Sequence, residues 1–153
     1  MSAGALHDRV ATSLVRAEQR YTAQRRQLVE LLAGAGRPLS IPEILGTQPG
    51  LAQSSVYRNL DTLERAGAVR RVQGADDFAR YELDEELTGH HHHLVCTVCR
   101  RITDVELSAR HERALDRALE EAAERSSFRA LSHRLDLFGV CADCAAGPAG
   151  PGV

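Results

Sequence analysis

At 153 residues the chain has room for one medium domain or two small ones, and its 43% hydrophobic content permits a core. Three Phe, three Tyr and no Trp make that core aliphatic, and no apolar run approaches the ~20 residues of a membrane span. A net charge of −2 excludes a uniformly basic nucleic-acid binder but hides an asymmetry: residues 1 to 82 carry 11 Arg against 9 carboxylates, while residues 83 to 153 carry 8 Arg against 12. Two modules are therefore expected, the first with Arg9, Arg16, Arg20, Arg25, Arg26 and Arg37 crowded near its start. Residues 1 to 20 lack the apolar core of a secretion signal, so a cytoplasmic protein is expected.

Residues 5 to 19 and 22 to 33 read as two helices, the second introduced by Thr22 and stopped at Gly34-Ala-Gly36. Ser40-Ile-Pro-Glu43 is a capping-box pattern that opens a short third helix, ended by Gly46 and Pro49. A fourth helix runs from about Gln53 to Ala66 and is closed by Gly67. Its apolar stripe is Val56, Leu60 and Leu63; the opposite face carries Ser54, Ser55, Tyr57, Arg58, Asp61 and Thr62. Short hydroxyls, one Tyr and one Arg near a helix start are able to approach base edges and phosphates in a major groove, although a polar face is more often plain solvated surface. Val69 to Val72 and Phe78 to Leu83 alternate around Gly74-Ala-Asp-Asp77, a β-hairpin pattern. Short helices followed by an Arg-rich hairpin give the order of a winged helix-turn-helix.

The second module opens on four consecutive histidines, His90 to His93, and leads into Cys96-Thr-Val-Cys99; Cys141 and Cys144 form a second pair of the same spacing. Two C-x-x-C pairs complete the closed four-sulfur shell of a structural zinc, which does no chemistry. Disulfides or reversible oxidation of the same thiols are the alternatives. If residues 90 to 96 are extended, His90 and His92 point one way and His91 and His93 the other. Ser108 to Arg125 reads as a helix whose stripe is Leu115, Ala118, Leu119 and Ala122, with His111 on the same stripe. Leu131, His133, Leu135 and Leu137 alternate with polar residues as a strand would. A first regulatory site is therefore expected at His90, His92, His111 and His133, and a second where His91 and His93 meet Glu82 or Asp84. The alternative for that second pair is a solvated His pair beside an acidic linker.

Taken together, Tyr21-Thr-Ala-Gln-Arg25, Ser55-Val-Tyr-Arg-Asn-Leu60 with Gly67, His90 to Cys99, and His133 with Phe138-Gly-Val-Cys-Ala-Asp-Cys144 resemble the ferric uptake regulator superfamily over about residues 6 to 145. The resemblance implies an α+β chain: a winged-helix DNA-binding domain at 1–83, a hinge at 84–89, a small α/β dimerisation and metal-sensing domain at 90–145, and a disordered tail at 146–153. It implies a homodimeric, metal-dependent transcription factor on an inverted-repeat operator in double-stranded DNA. Tyr57 and Arg58, with Ser54, Ser55 and Arg25, are then expected at the DNA, and Arg20 in a minor groove. His111 stands where the family usually has Glu. Pro38 stands where iron-type members often carry His, and Arg70 where zinc-type members can carry Asp. An all-imidazole shell suits zinc, nickel or cobalt better than oxygen-preferring ions.

These features lead to a repressor of metal-uptake genes, most like the zinc-uptake type, with Zn²⁺ in the structural site and Zn²⁺, or else Fe²⁺, Ni²⁺ or Mn²⁺, as effector. A peroxide-sensing member is the nearer rival. A zinc hydrolase is disfavoured because His111-Glu112 begins an H-E-x-x-H pattern that Leu115 breaks, so no enzyme activity and no small-molecule substrate are expected. A metal-storage role would leave the fourth helix unexplained.

Overall fold

The structure, a computed structural model, describes residues 3 to 76 and 78 to 147. Helix α1 (Ala3–Arg16) buries Leu6, His7, Val10 and Leu14, a stripe with a step close to one helical turn. It ends earlier than the apolar pattern suggests because the chain turns through a left-handed Glu18, φ 56°. Helix α2 (Ala23–Ala35) starts where the Thr22 side chain accepts from the Arg25 N–H and stops at Gly36, whose φ of 59° is the left-handed cap that glycine adopts without a Cβ penalty. Strand β1 (Leu39–Ser40) passes into α3 (Ile41–Thr47) through a complete capping box between Ser40 and Glu43. Helix α4 (Gln53–Arg65) buries Val56, Leu60 and Leu63 and is followed by Gly67 at φ 70°.

Strands β2 (Val69–Gln73) and β3 (Ala79–Leu83) form the expected hairpin, and β1 adds to it in the order β1-β3-β2. One aliphatic core joins α1, α2, α3, α4 and this sheet through residues such as Leu14, Leu28, Ile44, Leu60 and Val69. At roughly 1.5–3 kcal/mol for each large side chain removed from water, that core is the main source of order in the region.

Past β3, the short helix α5 (Glu85–Thr88), capped by Asp84, leads to β4 (His92–Cys96). Strand β4 is central, pairing antiparallel with β5 (Ile102–Val105) and parallel with β6 (Asp136–Gly139). The crossover needed for the parallel pair is α6 (Ala109–Arg125), and α7 (Ala142–Ala145) closes the described chain. The only buried apolar cluster here is Val95 and Ile102 with Val72 reaching over from β2, among the described residues.

Two expectations are corrected. The alternation from Leu131 to Leu137 is not a strand: the ladder to β4 begins only at Asp136, and Leu131 is 85% exposed. Helix α6 is amphipathic yet buries no residue, so its apolar stripe is left largely uncovered, with Leu119 38% exposed. The tail expectation for 146–153 falls almost wholly outside the described residues; Ala146 and Gly147 simply follow α7.

Candidate metal centres and nucleic-acid interface

Cys96 ends β4, Cys99 lies on the turn after it, and Cys141 and Cys144 bracket the start of α7, so the parallel β4–β6 pair brings both C-x-x-C turns to one end of the sheet. Their four Sγ atoms lie within 4.8 Å of one another. Cys99 Sγ and Cys141 Sγ are 3.8 Å apart, which is the edge of a tetrahedron with metal–sulfur bonds of about 2.3 Å. The Cys141 N–H donates to Cys96 Sγ at 3.4 Å. That bond, with backbone donors from Cys99 and Val98, holds the Cys96 thiol down at about 6, while hydrogen bonds to Cys141 and Cys99 push Cys144 up to about 12. Neighbouring thiols cannot all ionise without a cation between them, and the donor set fits zinc.

The side chains of His90 and His92 turn to one side of β4 and those of His91 and His93 to the other, as strand alternation requires. On the first side His90, His92 and His133 are joined by Glu112, not by His111. His90 Nε2 and His133 Nε2 are 3.2 Å apart, and Glu112 Oε1 is 3.2 and 3.1 Å from them. Glu112 Oε2 lies 3.1 Å from His92 Nε2. Oε1 is buried and makes no properly directed hydrogen bond, although two imidazole nitrogens touch it. These lone pairs point at a shared centre rather than along N–H···O lines, and separations of 3.1–3.2 Å are close to the ~3.3 Å edge expected for metal–nitrogen bonds of about 2.05 Å. Behind the ligand atoms, His90 Nδ1 is 2.6 Å from Glu85 Oε2, and His133 Nδ1 is 3.3 Å from Asp116 Oδ1. Carboxylates behind imidazoles fix the tautomer that offers Nε2 to an ion. Burial works to raise the Glu112 carboxyl, but His92, His90 and His133 outweigh it and hold the group below its usual range.

His111 is the correction. It is exposed, and its ring lies 3.1 Å from the Ser108 hydroxyl in the cap of α6. Neighbouring helical residues project about 100° apart, so only one of His111 and Glu112 can face the sheet. Glu112 and Asp116, one turn apart, take that face.

On the other side Glu82, His91 and His93 come together as expected, with Asp104 of β5 as an additional member and Asp84 absent because it caps α5. Glu82 Oε2 is 3.1 Å from His93 Nε2 and 3.3 Å from His91 Nε2. His93 Nδ1 faces Asp136 Oδ1 at 3.0 Å. Burial alone would raise Glu82; the His93 hydrogen bond and the Arg70 charge reverse this and lower it. Asp104 is raised, chiefly by burial, and its Oδ1 has no hydrogen-bond partner. Asp104 escaped sequence reading because β5 is too short to show a period. The mixed nitrogen and oxygen donors fit a divalent ion here too.

Helix α4 presents Ser54, Tyr57 and Arg58 to solvent, with Tyr57 51% exposed and Ser55 half-buried beside them. The start of α4 has no side-chain cap, unlike α2, α3 and α6. Arg20 is exposed just before α2. Arg25 also makes contacts within the protein, Nε donating to Asn59 Oδ1 at 3.1 Å and Nη2 to Thr62 Oγ1 at 3.3 Å, with Nη1 on the Arg20 carbonyl. It braces α4 against the segment that carries Arg20.

A model of the ferric uptake regulator family matches residues 16–138. The peroxide operon regulator of Bacillus subtilis is 29% identical over 129 residues, which cover 82% of this chain and 83% of that protein. The ferric uptake regulation protein of Neisseria meningitidis is 34% identical over 101 residues, 66% of this chain and 64% of that one. Among solved structures, the Helicobacter pylori ferric uptake regulator, described as having three functional metal binding sites, superposes with a TM-score of 0.75 over 95% of each chain at 23% identity.

Proposed function

This chain belongs to the ferric uptake regulator family, and on that premise we propose that it is a repressor of metal-uptake genes whose hold on DNA depends on a divalent ion, with zinc as the effector. Regulators of the family respond to metal and bind DNA; which metal acts here is our own reading. The observation that carries it is the convergence of His90, His92 and His133 Nε2 with Glu112 on a centre of tetrahedral spacing. Three nitrogens and one oxygen at that spacing suit zinc better than ions that prefer six oxygens. An iron- or manganese-responsive regulator is the second reading, favoured by the two carboxylates of the other cluster, Glu82 and Asp104.

In this reading the four cysteines hold a structural zinc. Residues 1–83 form the DNA-binding domain, 84–89 the hinge and 90–145 the dimerisation and sensing domain; the division is supported by the large apolar core that the residues up to Leu87 share among themselves and by Gly89 at φ 96°. Homodimerisation is supported by Leu94, Leu137, Phe138 and Val140, which are 42 to 58% exposed at the β4–β6 end of the sheet. A two-fold dimer would present two α4 helices to an inverted-repeat operator. Tyr57 and Arg58 would meet the groove, Ser54, Ser55 and the uncapped start of α4 the phosphates, and Arg20 the adjoining backbone or minor groove, with Arg25 holding the geometry. No described helix is long and apolar enough to cross a membrane, and we place the protein in the cytoplasm, where its operator is.

Metal acts only if it favours the DNA-competent arrangement over the alternatives. His90 lies beside the hinge, while Glu112 and His133 belong to α6 and to the segment before β6. An ion that needs all three would therefore fix the hinge against the sensing domain. The test is a zinc titration of operator binding in Glu112→Ala and His111→Ala proteins, with elemental analysis. We expect Glu112→Ala to keep the cysteine zinc and to lose the metal-induced gain in affinity, and His111→Ala to respond like the parent. A normal response in Glu112→Ala would sink the assignment.

A further inference from the structure

The second cluster already contains a cation. Arg70 on β2 is the direct cross-strand partner of Glu82 on β3, and its residue is only 8% exposed. Its guanidinium spreads over three neighbours: Nε donates to Glu82 Oε1, Nη1 to Glu85 Oε1, and Nη2 faces His91 Nε2 at 3.3 Å.

The tautomer of His91 gives that last contact its meaning. His91 Nδ1 is 3.0 Å from the Gly89 carbonyl, and a carbonyl only accepts, so Nδ1 carries the proton. His91 Nε2 is then a bare lone pair. It lies between an acceptor, Glu82 Oε2, and a donor, Arg70 Nη2, and takes its hydrogen bond from the arginine. This lone pair and the Glu82 carboxylate are what a metal ion would need from the cluster. Arg70 occupies both.

We propose that Arg70 is a resident cation of the Glu82, His91, His93 and Asp104 cluster, one that a divalent ion must displace or share, so that this cluster fills only after the His90, His92, Glu112 and His133 cluster. The proposal rests on the reading of both clusters as metal sites. A guanidinium is always charged, so no change of pH in the working range removes the competitor. Repulsion between a divalent ion and a fixed charge a few ångströms away weakens binding of that ion even in a well-screened interior. Among the described residues the first cluster has no such guest: its ligand atoms meet one another, with Glu85 and Asp116 behind them.

Arg70 also links the two clusters. Its Nη1 holds Glu85, and the other oxygen of Glu85 receives His90 Nδ1 at 2.6 Å. The chain His91–Arg70–Glu85–His90 has no gap. With Arg70 in place Glu85 is fixed and His90 is oriented for the first ion. An ion in the second cluster would push the guanidinium away from that support, which further favours filling in order.

The experiment is a zinc titration against a chromophoric chelator, on full-length protein that keeps its cysteine zinc and is stripped elsewhere. The parent should show two steps, the weaker one lost in His91→Ala. Arg70→Met should tighten that weaker step by at least about tenfold, a conservative reading of the charge removed. Arg70→Lys keeps a charge to balance Glu82 and Glu85, and so protects the fold, but it cannot span three partners; it should tighten the step by a smaller factor. Adding His91→Ala to either variant should abolish the gain. If the weaker step is unchanged or weaker in both Arg70 variants while His91→Ala still removes it, the cluster is a metal site but Arg70 is no competitor. If His91→Ala alters neither step in the parent, the cluster does not hold zinc, and the proposal falls together with that reading.

Discussion

The two halves of this chain solve the problem of folding in different ways. Residues up to Leu83 enclose an aliphatic core in which Val10, Leu14, Val29, Ile44, Leu60 and Leu63 are fully shielded. From β4 onward the buried apolar set shrinks to Val95 and Ile102, and the positions that a core would occupy are held by His92, His93 and Cys96. The first half is held chiefly by the hydrophobic effect. In the second, ligands stand where the core should be, so its order depends on what binds them. A sensor benefits from that division, because a reader held chiefly by its own apolar core can be repositioned by a domain whose fold depends on metal.

The most severe way to break this contrast is to remove a thiolate. Structural zinc in small domains contributes on the order of 10 kcal/mol of folding free energy. Cys96→Ser or Cys141→Ser should therefore melt the second half and dissociate the dimer while leaving the helical signal of the first. Thermal denaturation followed by circular dichroism, with sedimentation and zinc analysis, reads both halves. One cooperative transition at the parent temperature would show that the cysteines do not carry the domain. Next in size is Leu60→Ala, which should cost about 2–5 kcal/mol through its cavity. This loss should appear in the first half alone, with zinc content unchanged; loss of zinc in Leu60→Ala would mean that the two halves fold as one unit.

The same contrast explains which features the sequence displayed. Helix starts at Thr22 and Ser40 and the stop at Gly67 are local chemistry, and they lie where the sequence signals put them. The two-residue strand β1 has no periodicity and is defined only by its pairing with β3. In the second half, His92 and His93 alternate within β4, and His90 and His91 just before it fall on the same two sides. Helix α6 misled because periodicity tells which face is apolar and not what covers it. Leu119 and the alternating leucines from 131 to 137 look like core, yet Leu119, Leu131 and Leu137 are exposed. With the stripe taken as inward, His111 was drawn toward the sheet. Glu112 and Asp116, at the edge of that stripe, are the side chains that reach the histidines, and Glu112 supplies the carboxylate that the family resemblance called for at His111. Arg25 is expected at the DNA among other arginines, and the fold adds its contacts with Asn59 and Thr62.

The mildest change tests whether a charge pair in the first half matters as little as the contrast demands. At the tip of the wing Asp76 takes a two-pronged hydrogen bond from Arg80, Oδ1 to Nη1 at 2.6 Å and Oδ2 to Nη2 at 2.8 Å. That bond outweighs the opposing effect of burial and brings the Asp76 carboxyl down to about 2, from a usual 3.8. A carboxyl depressed in the folded state adds stability above its unfolded value, here above pH ~4, and that contribution fades as pH falls toward about 2. Arg80 and Asp76 keep only 9% and 19% of their side chains exposed, but the pair ties one short stretch of the wing to itself, and its contribution is about 1–2 kcal/mol, less than that of a core leucine. Asp76→Asn should accordingly lower the urea midpoint only slightly at pH 6 and leave zinc content untouched. Carboxyl-carbon NMR of the parent should find Asp76 titrating below the other aspartates. A normal titration midpoint for Asp76 would show the pair to be open in solution. A large drop in stability, by contrast, would mean that the first half leans on its charges as the second half does.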